Sequence, residues 1–156
     1  MLIFFKDIIS DRDSLDMTAV YRIALVHDIC EIETGDFVIT KKTNADGKRE
    51  YAAIDIITKN IPSSIAKQFI EDKKRYDVAT DLESRFVCAM DRFESFFFQY
   101  YSDGVKMIKT LDTDINIRHR NLDRLLSIMD NLSFPELSPY TRVLCEELIH
   151  NRYLKE

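Results

Sequence analysis

From Asp81 to Tyr101 the chain carries an apolar pattern that is far too long for a strand and runs along two flanks. Leu82, Phe86, Ala89, Met90, Phe93 and Phe97 recur at helical spacing, while Val87 and Phe98 make a second flank apolar. A helix with two apolar flanks must be packed on more than one side, so this segment is expected at the centre of a helical domain. The remainder of the chain agrees, because three glycines and three prolines in 156 residues leave little material for tight hairpins. The expected fold class is all-α, a helical bundle formed by a single domain over residues 1–156.

Before the central helix, residues 2–9 read as the end of a helix with no capping residue in front of it. The acidic turn S-D-R-D-S-L-D follows, in which Asp16 or Ser14 can cap a helix through Met17, Val20, Ile23, Ala24 and His27 to about Thr34, with Gly35 as its terminator. A polar connection comes next, with Asp46-Gly47 as a turn signal, then a short helix around Tyr51 to Thr58. Pro62 suits the first turn of another helix, on which Ile65, Phe69 and Ile70 share a side and Glu71 to Arg75 make a solvated charged end. After the central helix, Leu122, Leu125, Leu126, Met129 and Leu132 describe one amphipathic helix. Tyr140 to Tyr153 describe another, with Val143, Leu144 and Leu148 inward and Ser138-Pro139 at its start.

A hydrophobic content of 46% is enough to bury a core, and a net charge of −5 with mixed signs argues against nucleic acid or an anionic membrane surface as the main partner. Cys30, Cys88 and Cys145 are too scattered for a disulfide framework and read as reduced core residues of a cytoplasmic protein. The start M-L-I-F-F-K-D-I-I has the wrong charges for a signal peptide or a membrane span.

Chemistry is concentrated between Ala24 and Phe37, A-L-V-H-D-I-C-E-I-E-T-G-D-F, where four acids and a histidine interrupt an apolar segment. On a continuous helix His27 and Glu31 stack one turn apart on the face of Val20 and Ala24, with Asp28 at its edge. Polar groups turned towards an apolar side are costly unless paired, and a metal ion is one remedy. His27-Asp28 offers an imidazole nitrogen and a carboxylate oxygen, a ligand set that suits Mn, Co, Mg, Fe or Zn. Asp91 is a second acid in an apolar setting, F-V-C-A-M-D-R-F-E-S-F-F-F. Either it is a ligand, or it forms a structural ion pair with Arg92 or Arg85. His119 and His150 have no ligand spacing and read as exposed or structural residues, Lys41 and Lys42 follow Gly-Asp closely enough to meet a phosphate but read first as a solvated loop, and the aromatic run after Asp91 reads as core or subunit interface rather than a base-stacking surface.

The strings Y-R-I-A-L-V-H-D-I-C-E-I-E-T-G-D and L-E-S-R-F-V-C-A-M-D-R-F-E-S-F-F-F-Q together resemble the HD-domain phosphohydrolases, in the branch similar to bacterial 5'-deoxynucleotidases. The pattern H-D-x-x-E-x-x-x-G-D falls on His27, Asp28, Glu31, Gly35 and Asp36. The later helix of the family is matched by Glu83, Val87, Asp91, Arg92 and Glu94. This resemblance implies an HD-domain bundle and a divalent metal held by His27, Asp28 and Asp91. It further implies Glu31 as the residue that holds or deprotonates the attacking water, and Asp36 as a contact to the substrate sugar or a group that orients the site, beside its plain reading as a local turn or cap. The implied reaction is hydrolysis of a (deoxy)nucleoside monophosphate by metal-activated water, in a protein expected by the same analogy to form a homodimer. The family also uses an earlier histidine on the preceding helix, and nothing before His27 supplies it, so the chain resembles a member lacking its first helix. The alternative function is accordingly an inactive or metal-poor HD module that binds a nucleotide or a protein partner.

Overall fold

Helices make up the regular structure of a computed structural model that describes residues 1–35, 44–101 and 134–150, and no strand occurs among the described residues. The α-helices are α1 (Leu2–Phe5), α2 (Met17–Val26), α3 (Glu31–Thr34), α4 (Asn44–Thr58), α5 (Ser63–Val78), α6 (Leu82–Tyr101) and α7 (Ser138–His150), joined in part by short 3-10 turns. No helix among the described residues is long and apolar enough to cross a membrane. Asp36, Lys41, Lys42, His119 and the expected helix around Leu122 to Leu132 lie outside the described residues, as do the side chains of Cys145, Leu148 and His150.

By its contacts the chain divides into two units, Leu15–Val87 and Met1–Ser14 with Cys88–Glu156. Within Leu15–Val87, α2 packs on α5, while α4 packs on both α3 and α5. Cys30, Ala53 and Ile54 form a buried cluster against which Phe69 packs, and Ala19, Val20, Ile23 and Val26 bury one face of α2. Asp16 supplies the N-cap of α2, accepting the backbone N–H groups of Thr18 (2.9 Å) and Ala19 (3.2 Å). Ser14, the other capping candidate, closes a 3-10 turn instead. Asp16→Ala leaves those two amides without their acceptor and is expected to cost about 1 kcal/mol, read as a lower urea midpoint at unchanged slope.

Two expectations fail here. Asp46-Gly47 is no turn but part of the first turns of α4, which begins at Asn44 rather than near Tyr51. Propensity lost at one glycine, about 1 kcal/mol, is small against the packing of a 15-residue helix on its neighbours. The charged stretch Glu71 to Arg75 is not uniformly solvated either: Asp72 is 1% exposed and Lys73 5%, whereas Ile65 and Ile70 are exposed. The helix is turned so that Asp72 meets Arg22 of α2, Nε to Oδ2 at 2.9 Å, and Lys73 meets Asp77 at 2.5 Å. Pairing removes most of the penalty that would otherwise keep these charges in water.

In the other unit, Phe5 of α1 packs against Phe93 with ring centroids 4.8 Å apart and edge-on to Tyr140 at 5.8 Å. Ile9, Phe134 and Leu137 are buried. The Ser10 backbone N–H (2.9 Å) and hydroxyl both donate to Glu136, and these bonds hold the Glu136 carboxyl below its ordinary pKa. On α7 the inward position is Thr141, fully buried with its hydroxyl donating to the Leu137 carbonyl at 3.1 Å, and Val143 is exposed rather than inward.

Helix α6 has almost the expected limits. Its Phe86, Val87, Ala89, Met90 and Phe93 are all buried, as two apolar flanks require. Asp81 starts it, its carboxylate accepting the Ser84 N–H at 2.9 Å.

Candidate metal centre

The expected continuous helix from Met17 to Thr34 is broken at the histidine. Helix α2 stops at Val26, residues 27–30 form a turn, and α3 starts at Glu31. A side chain competing with the backbone accounts for the break. To continue the α-helix, the Ala24 carbonyl has to accept the N–H of Asp28, but His27 Nδ1 lies 2.7 Å from that oxygen. From there the backbone bonds tighten to i→i−3, Ile29 to Val26 (3.3 Å), Glu31 to Asp28 (2.9 Å) and Ile32 to Ile29 (3.2 Å). His27 and Glu31 therefore no longer follow α-helical stacking. Gly35 ends α3 with φ at 75°, a backbone region that favours glycine, and donates its N–H to Glu31 at 2.8 Å.

The same bond sets the chemistry of the imidazole. A carbonyl only accepts, so Nδ1 carries a proton and Nε2 is the nitrogen turned to other partners. That nitrogen faces Asp28 Oδ2 at 2.8 Å. Two acceptors so close need a cation or a proton between them, which is the donor chemistry a divalent ion fits. The Asp28 side chain is half exposed and that of His27 largely covered. On one side the imidazole meets the Tyr76 ring, centroids 5.1 Å apart at 57°.

Asp91 lies on α6, a helix continuous from Leu82 in the first-described unit. Among the described residues, His27, Asp28 and Asp91 each offer a ligand atom, all within 4.8 Å of one another, a group that can hold a metal ion. Glu31 begins α3 and is partly buried. Asp36 falls outside the described residues. Sequence reasoning gave no role to Tyr76 or to the buried charges of α5. The spacing Phe69, Asp72, Lys73, Tyr76 is itself helical, but polar members conceal it from a pattern built on apolar residues.

A helical chain that draws an imidazole and a carboxylate from one tight turn and another acid from a long helix has the layout of the HD fold. Residues 1–130 match the HD domain family, and the chain belongs to that family. Over 84 residues, 53% of this chain, it is 32% identical to human 5'-deoxynucleotidase HDDC2, and over the same length 31% identical to the mouse protein of that name. These alignments take in 41% and 42% of the two proteins, so the match spans less than half the length of these curated relatives. Its fold is similar to the crystal structure of a predicted metal-dependent phosphohydrolase from Magnetospirillum magnetotacticum MS-1, with a TM-score of 0.84. That likeness covers 100% of this chain and 75% of the other at 22% identity.

Proposed function

We propose that this chain is a metal-dependent phosphoric monoester hydrolase that acts on deoxynucleoside monophosphates. One observation carries the reading: the ligand atoms of His27, Asp28 and Asp91 lie within 4.8 Å of one another. In a chain of the HD-domain family this is the cluster through which a divalent metal would be held. Similarity to the two 5'-deoxynucleotidases supports the choice of substrate. His27 would bind through Nε2, with its ring fixed by the Nδ1 bond to Ala24. Asp28 and Asp91 would supply carboxylate oxygens and the negative charge that favours a divalent cation. When bound, the metal lowers the pKa of a water and neutralises a phosphate oxygen.

The chain's own residues do the rest of the work. Glu31 is the only other acid in the first turn of α3 besides Glu33, and in the motif it is the group assigned to take the water's proton as the ester bond breaks. Asp36 orients the sugar. The leaving nucleoside oxygen recovers its proton from solvent or from Glu31.

Full-length protein loaded with Mn or Co and offered a panel of deoxynucleoside monophosphates is expected to release inorganic phosphate, with the activity abolished by EDTA. If the metal is bound and no member of the panel is hydrolysed, the substrate assignment is wrong.

A further inference from the structure

Behind His27 stands a column of side chains that the metal reading does not use. The Tyr76 ring leans on the imidazole, 5.1 Å between centroids at 57°. The Lys73 ammonium lies 5.3 Å from the centroid of the same Tyr76 ring. Lys73 is 5% exposed and its ammonium is tied to Asp77 at 2.5 Å. The second Asp77 oxygen accepts the Tyr51 hydroxyl at 2.9 Å, which accounts for the raised pKa of Tyr51.

Each link restricts the next. A lysine with no freedom to reach water holds its charge over the ring, and a cation in that place draws the aromatic face towards it. Lys73 and Tyr76 are three residues apart on α5, so their side chains are neighbours on one face of that helix. Opposite, the imidazole is fixed at Nδ1 by the Ala24 carbonyl at 2.7 Å. Asp28 Oδ2 meets the other ring nitrogen at 2.8 Å, and the Tyr76 ring packs on a face of the imidazole, where it limits tilting of the ring plane. Together they aim Nε2 in one direction, which is what a ligand nitrogen needs.

We propose that Tyr76 is a positioning residue for His27, its ring, braced by Lys73 and Asp77, setting the plane of the imidazole and hence the aim of Nε2. This inference rests on the metal reading of His27, though it concerns contacts present without metal. The aromatic face is the working part, so Tyr76→Phe is expected to behave as the native protein, whereas Tyr76→Leu keeps apolar bulk without the face and Tyr76→Ala removes both.

Two measurements test it on the full-length protein. In metal-free protein, long-range ¹⁵N–¹H correlation spectra of His27 are expected to show one fixed pattern of ring-nitrogen shifts, with Nδ1 protonated, in the native chain and Tyr76→Phe, and averaged ring nitrogens in Tyr76→Leu. In Co²⁺ titrations, Tyr76→Leu and Tyr76→Ala are expected to bind about tenfold or more weakly than the native chain with an altered visible ligand-field spectrum, and Tyr76→Phe to restore both. Folded Tyr76→Leu with the native ring-nitrogen pattern, the native Co²⁺ affinity and the native spectrum overturns the inference. A native chain that shows the fixed pattern but takes up no Co²⁺ overturns the metal reading, and with it the assignment of Tyr76 to a metal ligand. Tyr76→Ala that does not fold leaves the decision to Tyr76→Leu.

Discussion

Asp91→Ala is expected to bind Mn or Co at least about a hundredfold more weakly than the native protein, because it removes an anionic group from the proposed three-residue ligand set. Phosphate release at a fixed metal concentration should fall by about a thousandfold, the equivalent of the several kcal/mol that a bound metal contributes to phosphoryl chemistry. Isothermal titration with the metal and a phosphate-release assay read the two effects separately. Asp91 has a rival role as a structural ion-pair partner of Arg92 or Arg85. That role predicts the reverse pattern, a lower thermal midpoint with metal affinity unchanged, and this result would remove Asp91 from the site.

Arg75→Met is the substitution expected to damage stability most. The Arg75 guanidinium donates to both Asp81 oxygens at 2.9 and 3.0 Å and to Glu83 at 3.1 Å, and lies 3.7 Å from Asp72. The Asp72 side chain is 2% exposed. Removing the shared cation leaves Asp81 and Glu83 without their guanidinium, while Asp72 keeps Arg22 at 2.9 Å; because Asp81 is partly open to water, a loss of about 1–3 kcal/mol is expected in urea denaturation. A second readout is the acid limb. Burial works to raise the Asp81 pKa, but the bonds from Arg75 and Ser84 outweigh it and bring the carboxyl from 3.8 down to about 2. The folded form is therefore the more acidic one. Its stabilising contribution is complete above 3.8 and disappears as pH falls through about 2. In Arg75→Met the slope of stability against pH across that window should flatten. Parallel slopes in the two proteins would mean that Arg75 is not what holds the carboxyl down.

Much of the architecture is legible in the amino-acid sequence. The limits of α6 came within a residue, since apolar periodicity sums over five turns and no single residue decides it. Asp16 as cap and Gly35 as terminator are local chemistry, decided by residues within a turn of themselves. His27, Asp28 and Asp91 were chosen from a motif. Other readings depended on residues far away in the chain. Asp72 and Lys73 look like a wet helix end until Arg22, fifty positions earlier, is brought beside Asp72. Likewise Ile65, Ile70 and Val143 are apolar residues of amphipathic stretches, yet their helices turn other faces inward.

Spacing within single segments is enough to make the chain helical, to locate its longest helix, and to mark which imidazole and carboxylates carry the family's motif. The stop at Val26 of the helix expected through Thr34 is a local event, with the His27 ring on the Ala24 carbonyl three residues earlier, but packing between helices decided what spacing cannot. Only that tertiary packing decided which face of α5 is buried, and so placed Tyr76 against His27. A pattern of residue types carries the period of a helix, whereas its rotation about its own axis is set by the charges and rings of the helices packed on it.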